Sequence, residues 1–285
     1  MNFGGIPPSY SSYETAPIII LPVPFDATST WIKGADRGPD AILEASANME
    51  LYDIETDSEV YLRGIHTAEQ VTVRSSPEEL AQKVREKVIK FLDDGKFVVT
   101  LGGEHSVSIG VVQAFAEKMP GMSVLQVDAH TDLRQEYEGS RFNHACVMAR
   151  VQELCPIVQV GIRSMDVVEK PYVSADRIFY AKDIVGRDRK WIDGVLDKLT
   201  DQVYVTIDLD GFDPSILPAT GTPEPGGLGY YEVLDLMRIL IKKKKLIGFD
   251  VVELCPIDGN KASDFLASKL IYQLLSYQFG SKNIS

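Results

Sequence analysis

The sequence predicts an α/β protein with a mostly parallel sheet covered by helices on both faces, and three observations carry the prediction. Seven short runs rich in β-branched residues recur along the 285-residue chain. Each run is near-continuously apolar, the pattern of strands buried on both faces rather than one. Helical patterns fall between the runs, and parallel neighbours need such crossovers, which then cover the sheet. No repeat, low-complexity tract or Pro/Gly/Ser-rich linker interrupts this alternation, so one domain over 1–285 is expected.

The runs, in order, are PIIILPVP (17–24), KFVVTLGG (96–103), MSVLQVD (122–128), PIVQVGIR (156–163), RIFYA (177–181), QVYVTIDLD (202–210) and LIGFDVVEL (246–254). The clearest helix precedes the second of them, in SSPEELAQKVREKVIKFLDDG. There Ser76 can cap, Pro77 occupies the first turn and Glu79 completes a capping box. Leu80, Val84, Val88 and Phe91 form one stripe before Gly95. The lysines of IKKKKLIGF (241–249) precede an apolar strand and read as a solvated helix end, without a functional role.

Composition narrows the function classes. With 45% hydrophobic and 25% charged residues, the chain is neither disordered nor fibrous. A net charge of −12 disfavours nucleic acid and anionic membrane surfaces as partners and suits a small cationic ligand. Cys146, Cys155 and Cys255 lie in no zinc-finger or disulfide spacing, which fits a reducing, cytoplasmic location. The N-terminus lacks a basic region followed by an apolar core, and no apolar run approaches the ~20 residues of a membrane span.

In open parallel sheets ligands gather at the carboxyl ends of the strands. The second, third, sixth and seventh runs lead there into LGGEHS (101–106), DAHTD (128–132), DLDGFDP (208–214) and VVELCP (251–256), concentrating acids and histidines at one edge. Extended backbone would bring Asp128, His130 and Asp132 to one side, with Asp208 and Asp210 paired likewise on another strand. His105 would join from a Gly-Gly turn whose flexible backbone permits an abrupt change of direction. Carboxylates held this close repel and take up protons unless a cation neutralises them. His105, Asp128, His130, Asp132, Asp208 and Asp210 are too many for one four-coordinate ion, which points to two ions sharing carboxylates. Oxygen-rich sites with some nitrogen favour manganese over structural zinc. Any one segment alone is explained as well by a helix cap or an ordinary turn. The conjunction, with His105, His130 and His144 in or beside these segments, is what argues for a site.

Together GGEHS, DAHTD, NHACVMAR, TIDLDGFDPSILPATGTPEPGGL and GFDVVELCP resemble the ureohydrolase family, which includes arginase and agmatinase, and most closely its agmatinase branch. The resemblance runs from about residue 24 nearly to the C-terminus in the family's order. It implies a three-layer α/β/α domain of arginase type, two manganese ions per subunit, and hydrolysis of a guanidino group to urea. By position it places His105, Asp128, Asp132 and Asp208 on one ion and Asp128, His130, Asp208 and Asp210 on the other, with Asp128 and Asp208 bridging. It makes His144 the proton shuttle and Glu253 the acid that receives the guanidinium, and Asp132 a group that orients the nucleophile. Homo-oligomers, trimers or hexamers, are a further implication.

Agmatine is the first substrate expectation, because Arg134 stands where the arginase branch begins its amino-acid clamp with asparagine. The loop DLRQEYEGSRFNH instead offers Glu136 and Glu138 to a distal ammonium. Aminopropylagmatine, guanidinobutyrate, arginine or a formimino amide are the alternatives. Zinc-dependent deacetylation on a related fold would need one ion and fewer ligands, and a non-catalytic relative would have lost some of these residues. Glu104 departs from the family's usual aspartate, and its expected role is to orient His105 or a neighbouring backbone group.

Overall fold

The computed structural model of the chain describes residues 1–73 and 75–280. Its centre is an eight-stranded sheet: β1 (Ile18–Val23), β2 (Ile65–Thr67), β3 (Phe97–Gly102), β4 (Ser123–Val127), β5 (Ile157–Ile162), β6 (Ile178–Tyr180), β7 (Gln202–Asp208) and β8 (Lys245–Val252). All neighbours pair in parallel, in the order β2-β1-β3-β8-β7-β4-β5-β6. Every expected run forms a strand. The eighth, β2, has three residues and falls on the polar stretch IHT, too short to show any periodicity.

Among the described residues eight α-helices flank the sheet: α1 (Gly38–Ser46), α2 (Pro77–Asp93), α3 (Val107–Lys118), α4 (Val147–Val151), α5 (Ala181–Ile184), α6 (Lys190–Lys198), α7 (Tyr230–Lys243) and α8 (Ala262–Phe279). Strand β1 shows why its run is apolar throughout. Ile18 and Ile20 belong to the core layer formed with the apolar residues of α1, α6, α7 and α8, whereas Ile19 and Leu21 belong to the layer formed with those of α2, α3 and α4. Each such side chain removed from water contributes ~1.5–3 kcal/mol. The three layers are therefore two helical covers with the sheet between them.

Local signals hold with one change. Ser76 caps α2 by accepting from the Glu79 backbone N–H at 3.2 Å. The Glu79 carboxylate does not close the box; it turns to the Ser75 hydroxyl and to Lys83, 2.7 Å away. The lysine run ends α7, with Lys243 paired to Asp193 at 2.9 Å. All three cysteines are free, and no described helix is long and apolar enough to cross a membrane.

The topology decides where a site can lie. After β3 the chain leaps over two positions to β4, builds outward through β5 and β6, then returns to fill the gap with β7 and β8. The strands followed by GGEHS, VVELCP, DLDGFDP and DAHTD become four consecutive neighbours, β3-β8-β7-β4, at the centre of the sheet.

Candidate active site and metal centre

At the carboxyl edge of these four strands the six predicted side chains converge, although less simply than a strand pleat would bring them. Strand β4 stops at Val127, and Asp128 to Asp132 continue as irregular chain. Asp132 reaches the cluster through a left-handed backbone, φ 52°, a conformation rare outside glycine. Asp208 is the last residue of β7, and Asp210 lies in the 3-10 turn Leu209–Gly211 that follows. At Gly103 the requirement is space rather than flexibility: a Cβ there would lie 2.0 Å from the Phe25 carbonyl oxygen. That close passage of the 24–26 segment aims His105 at the strand ends.

His105 Nδ1 faces Asp132 Oδ2 at 3.0 Å and Oδ2 of both Asp128 and Asp208 at 3.2 Å. It is buried and makes no hydrogen bond. Its other nitrogen meets Thr206 Oγ1 at 2.9 Å, and that hydroxyl donates to Asp250 Oδ1 at 2.6 Å. Nε2 therefore carries a proton, and Nδ1 is the nitrogen turned among three carboxylate oxygens, where either a proton or a cation can sit. A second group joins Asp128 to His130 and Asp210, with His130 Nδ1 2.9 Å from Asp210 Oδ2. Asp128 belongs to both groups, so this donor set, acidic with one imidazole in each half, can hold two divalent cations. Asp208 falls in neither group: its Oδ2 faces His105 Nδ1, and its Oδ1 accepts from the Asp210 backbone N–H at 2.9 Å.

Electrostatics agree with the crowding. Burial, then the charges of Asp210 and Asp128, push the Asp208 carboxyl well above the usual range. Burial and Asp128 lift Asp132 to about 7. Burial would drive protons off His105, but Asp128, Asp132 and Asp208 outweigh it and hold them on. Without cations the cluster stores protons, as closely held carboxylates must.

Glu253 and His144 line the same cleft, which has a volume of about 320 Å³. Glu253 also has a left-handed backbone, φ 66°, and its Oε1 accepts from the His105 backbone N–H at 2.7 Å. Backbone strain at Asp132 and Glu253 marks positions that packing alone would not choose. His144 opens a 3-10 turn capped by Asn143, whose side chain accepts from the Ala145 N–H at 3.0 Å. Burial, followed by His105, His130 and Lys33, pushes its imidazole down to about 4, so it rests neutral.

Sequence reasoning missed the wall of the cleft. Glu136 and Glu138 are exposed, and Arg134 and Tyr137 line the cleft instead. Arg134 pairs with Asp166 at 2.8 Å and lies over the Tyr137 ring at 4.5 Å from its centroid. Asp166 and Glu169 form a capping box, and Glu169 also accepts from the Leu133 N–H at 3.0 Å, tying the loop after β4 to the one after β5. The DVVE spacing at 166–169 is the signal that could have revealed this support. Glu104 does not touch the His105 side chain; its carboxylate holds residues 28 and 29, the second of its two expected roles.

The Arginase family profile matches residues 16–276. Over 94% of its length the chain is 40% identical to a protein of Synechocystis sp. named N(1)-aminopropylagmatine ureohydrolase, of which the match covers 90%. The agmatinase of Pyrococcus horikoshii is 36% identical, with 92% of each chain covered. Among solved structures, the agmatine ureohydrolase of Thermoplasma volcanium superposes with a TM-score of 0.85 at 32% identity, covering 94% of this chain and 92% of that one.

Proposed function

The chain belongs to the arginase family, as a ureohydrolase acting on guanidino C–N bonds, and we propose that its substrate is a linear guanidino amine without a carboxylate. N1-aminopropylagmatine ranks first and agmatine second. The sequence alone ranks agmatine first. The order is reversed because the Synechocystis relative, at 40% identity, carries the aminopropyl name, whereas the Pyrococcus agmatinase stands at 36%. The observation that carries the reaction itself is the unpartnered Nδ1 of His105 among three carboxylate oxygens, beside Glu253 in one cleft.

In this reading manganese is the resident metal. His105, Asp128, Asp132 and Asp208 would hold one ion, and Asp128, His130, Asp208 and Asp210 would hold the other. When bound, a pair of divalent cations acidifies water, from a pKa of about 15.7 toward about 7, and stabilises the charge formed on attack. The residues of the chain do the rest. Glu253 receives the guanidinium, keeping Oε2 for it while Oε1 stays fixed by the His105 N–H. That contact orients the carbon toward the metal pair. Asp132 holds the proton of the nucleophile in place. Neutral His144 takes up, through its free ring nitrogen, the proton freed when water is activated and passes it to the departing amine; the hydroxyl proton held by Asp132 follows as the C–N bond breaks, so that urea and an ammonium leave.

The net charge of −12 suits a cationic amine, and Asp166 and Glu169, which line the cleft, are carboxylates for a distal ammonium. Urea release from manganese-loaded protein should be fastest with N1-aminopropylagmatine, slower with agmatine, and at background with arginine and guanidinobutyrate. Faster turnover of arginine than of either amine would remove this reading.

A further inference from the structure

Glu104 gathers more hydrogen-bond donors than a turn requires. Its Oε2 accepts from the backbone N–H of Thr28 at 2.6 Å and of Ser29 at 3.0 Å. Its Oε1 accepts from the hydroxyls of Thr28 and Ser106, each at 2.6 Å. Four donors thus converge on one fully buried carboxylate. Since a carboxylate accepting four bonds has nothing to donate, the single proton of the Thr28 hydroxyl is committed to Glu104.

The Thr28 oxygen then has only lone pairs left, and His144 uses both. The His144 backbone N–H donates to it at 3.0 Å, and His144 Nδ1 lies 3.1 Å away. With no proton available from Thr28, the Nδ1 contact is a hydrogen bond only if Nδ1 carries the hydrogen. The neutral ring is then fixed as one tautomer. His144 lines the cleft and its Nδ1 is turned to Thr28, so Nε2 is the nitrogen that remains for substrate.

We propose that Thr28 and Glu104 are positioning residues that hold His144 as the Nδ1–H tautomer and so present Nε2 to the reacting amine. The inference rests on the reaction assigned above for its catalytic meaning, but not for its geometry. It also gives a reason for the glutamate at 104, where the family resemblance leads one to expect aspartate. A carboxylate one methylene shorter, roughly 1.5 Å, could not reach Thr28 and Ser29 while still accepting from Ser106. The same bonds fix the start of the Ser29–Ile32 segment, which forms one wall of the cleft.

Long-range nitrogen–hydrogen NMR of metal-free protein at mildly alkaline pH reads the tautomer directly, with His144 assigned by comparison with His144→Gln. The wild-type chain should show His144 protonated on Nδ1. Thr28→Val and Glu104→Gln should each give mixed or Nε2–H signals, and Thr28→Ser should keep the wild-type pattern. In steady-state urea release, Thr28→Val should lower kcat ~10-fold or more with KM changed less than ~3-fold, and Thr28→Ser should restore kcat to within ~3-fold. An unchanged His144 signal in Thr28→Val, or a Thr28→Ser protein as slow as Thr28→Val, would overturn the proposal. Absence of urea release from the wild-type chain would remove the assigned reaction instead, while the tautomer measurement would still decide the positioning.

Discussion

Asp250 and Asp208 are buried aspartates on adjacent strands, two residues apart in register, with Asp250 paired to Thr206 and Asp208 to Val252. Their exposures are 0% and 3%, so burial does not distinguish them. Their partners do. Asp250 accepts from the Tyr204 hydroxyl at 2.8 Å and from Thr206 at 2.6 Å, donors supplied by its own strand layer. Asp208 faces Asp128, Asp210 and Nδ1 of His105, and among the described residues only the Asp210 backbone N–H donates to it. One carboxylate is completed by the protein, and the other is left for something positive. Two residues along β7 and β8 separate a structural acid from a proposed metal ligand.

The largest expected contrast is in activity. Asp208→Asn should reduce manganese-dependent kcat/KM by at least ~10³-fold, because it removes a proposed ligand shared by both ions. Asp250→Asn should reduce it only ~10–100-fold, acting through Thr206 on the orientation of His105. Equal losses in the two variants would erase the distinction between them.

Stability of the metal-free protein should show the reverse ranking. Asp250→Ala leaves the buried Tyr204 and Thr206 hydroxyls unmatched and should lower the unfolding free energy by ~1–3 kcal/mol in denaturant titrations. Asp208→Asn relieves like-charge repulsion and should leave that free energy unchanged or raised. A strongly destabilised metal-free Asp208→Asn protein would mean that Asp208 is structural after all.

A smaller effect lies in the pH dependence. Asp132 is raised to about 7 from its ordinary 3.8, so its contribution to the metal-free fold is complete below 3.8 and is lost as pH rises through 7. His144, lowered to about 4, works in the opposite sense: its contribution is present above the ordinary histidine value and is lost as pH falls through 4. Metal binding needs Asp132 deprotonated, so manganese affinity should fall about tenfold or more per pH unit below 7. Binding measured from about pH 6 to about pH 8 would contradict this if affinity stayed flat.

Much of this was legible in the chain because burial on both faces leaves a plain mark. The run IIILPV could not serve a half-exposed strand, whereas β2, with IHT, carries no such mark and was invisible. The six clustered side chains were readable for the same reason: Asp128 and Asp208 close apolar runs, and His105 follows one two residues on. What stayed hidden depends on contacts between distant segments. Arg134 meets Asp166 across 32 positions and Glu104 meets Thr28 across 76, and no local pattern encodes either pair. The alternation in DAHTD suggested a pleat, yet Asp132 arrives by a left-handed turn that only the completed loop enforces.

The unsatisfied cluster, in the reading proposed above, binds two cations that the reaction requires. Calorimetric titration of metal-stripped protein with manganese, with urea release followed at each addition, measures it directly. The expected result is two ions bound per chain, with activity rising as the second binds. Saturation at one ion with full activity, or urea release unaffected by stripping and restoring metal, would contradict the account.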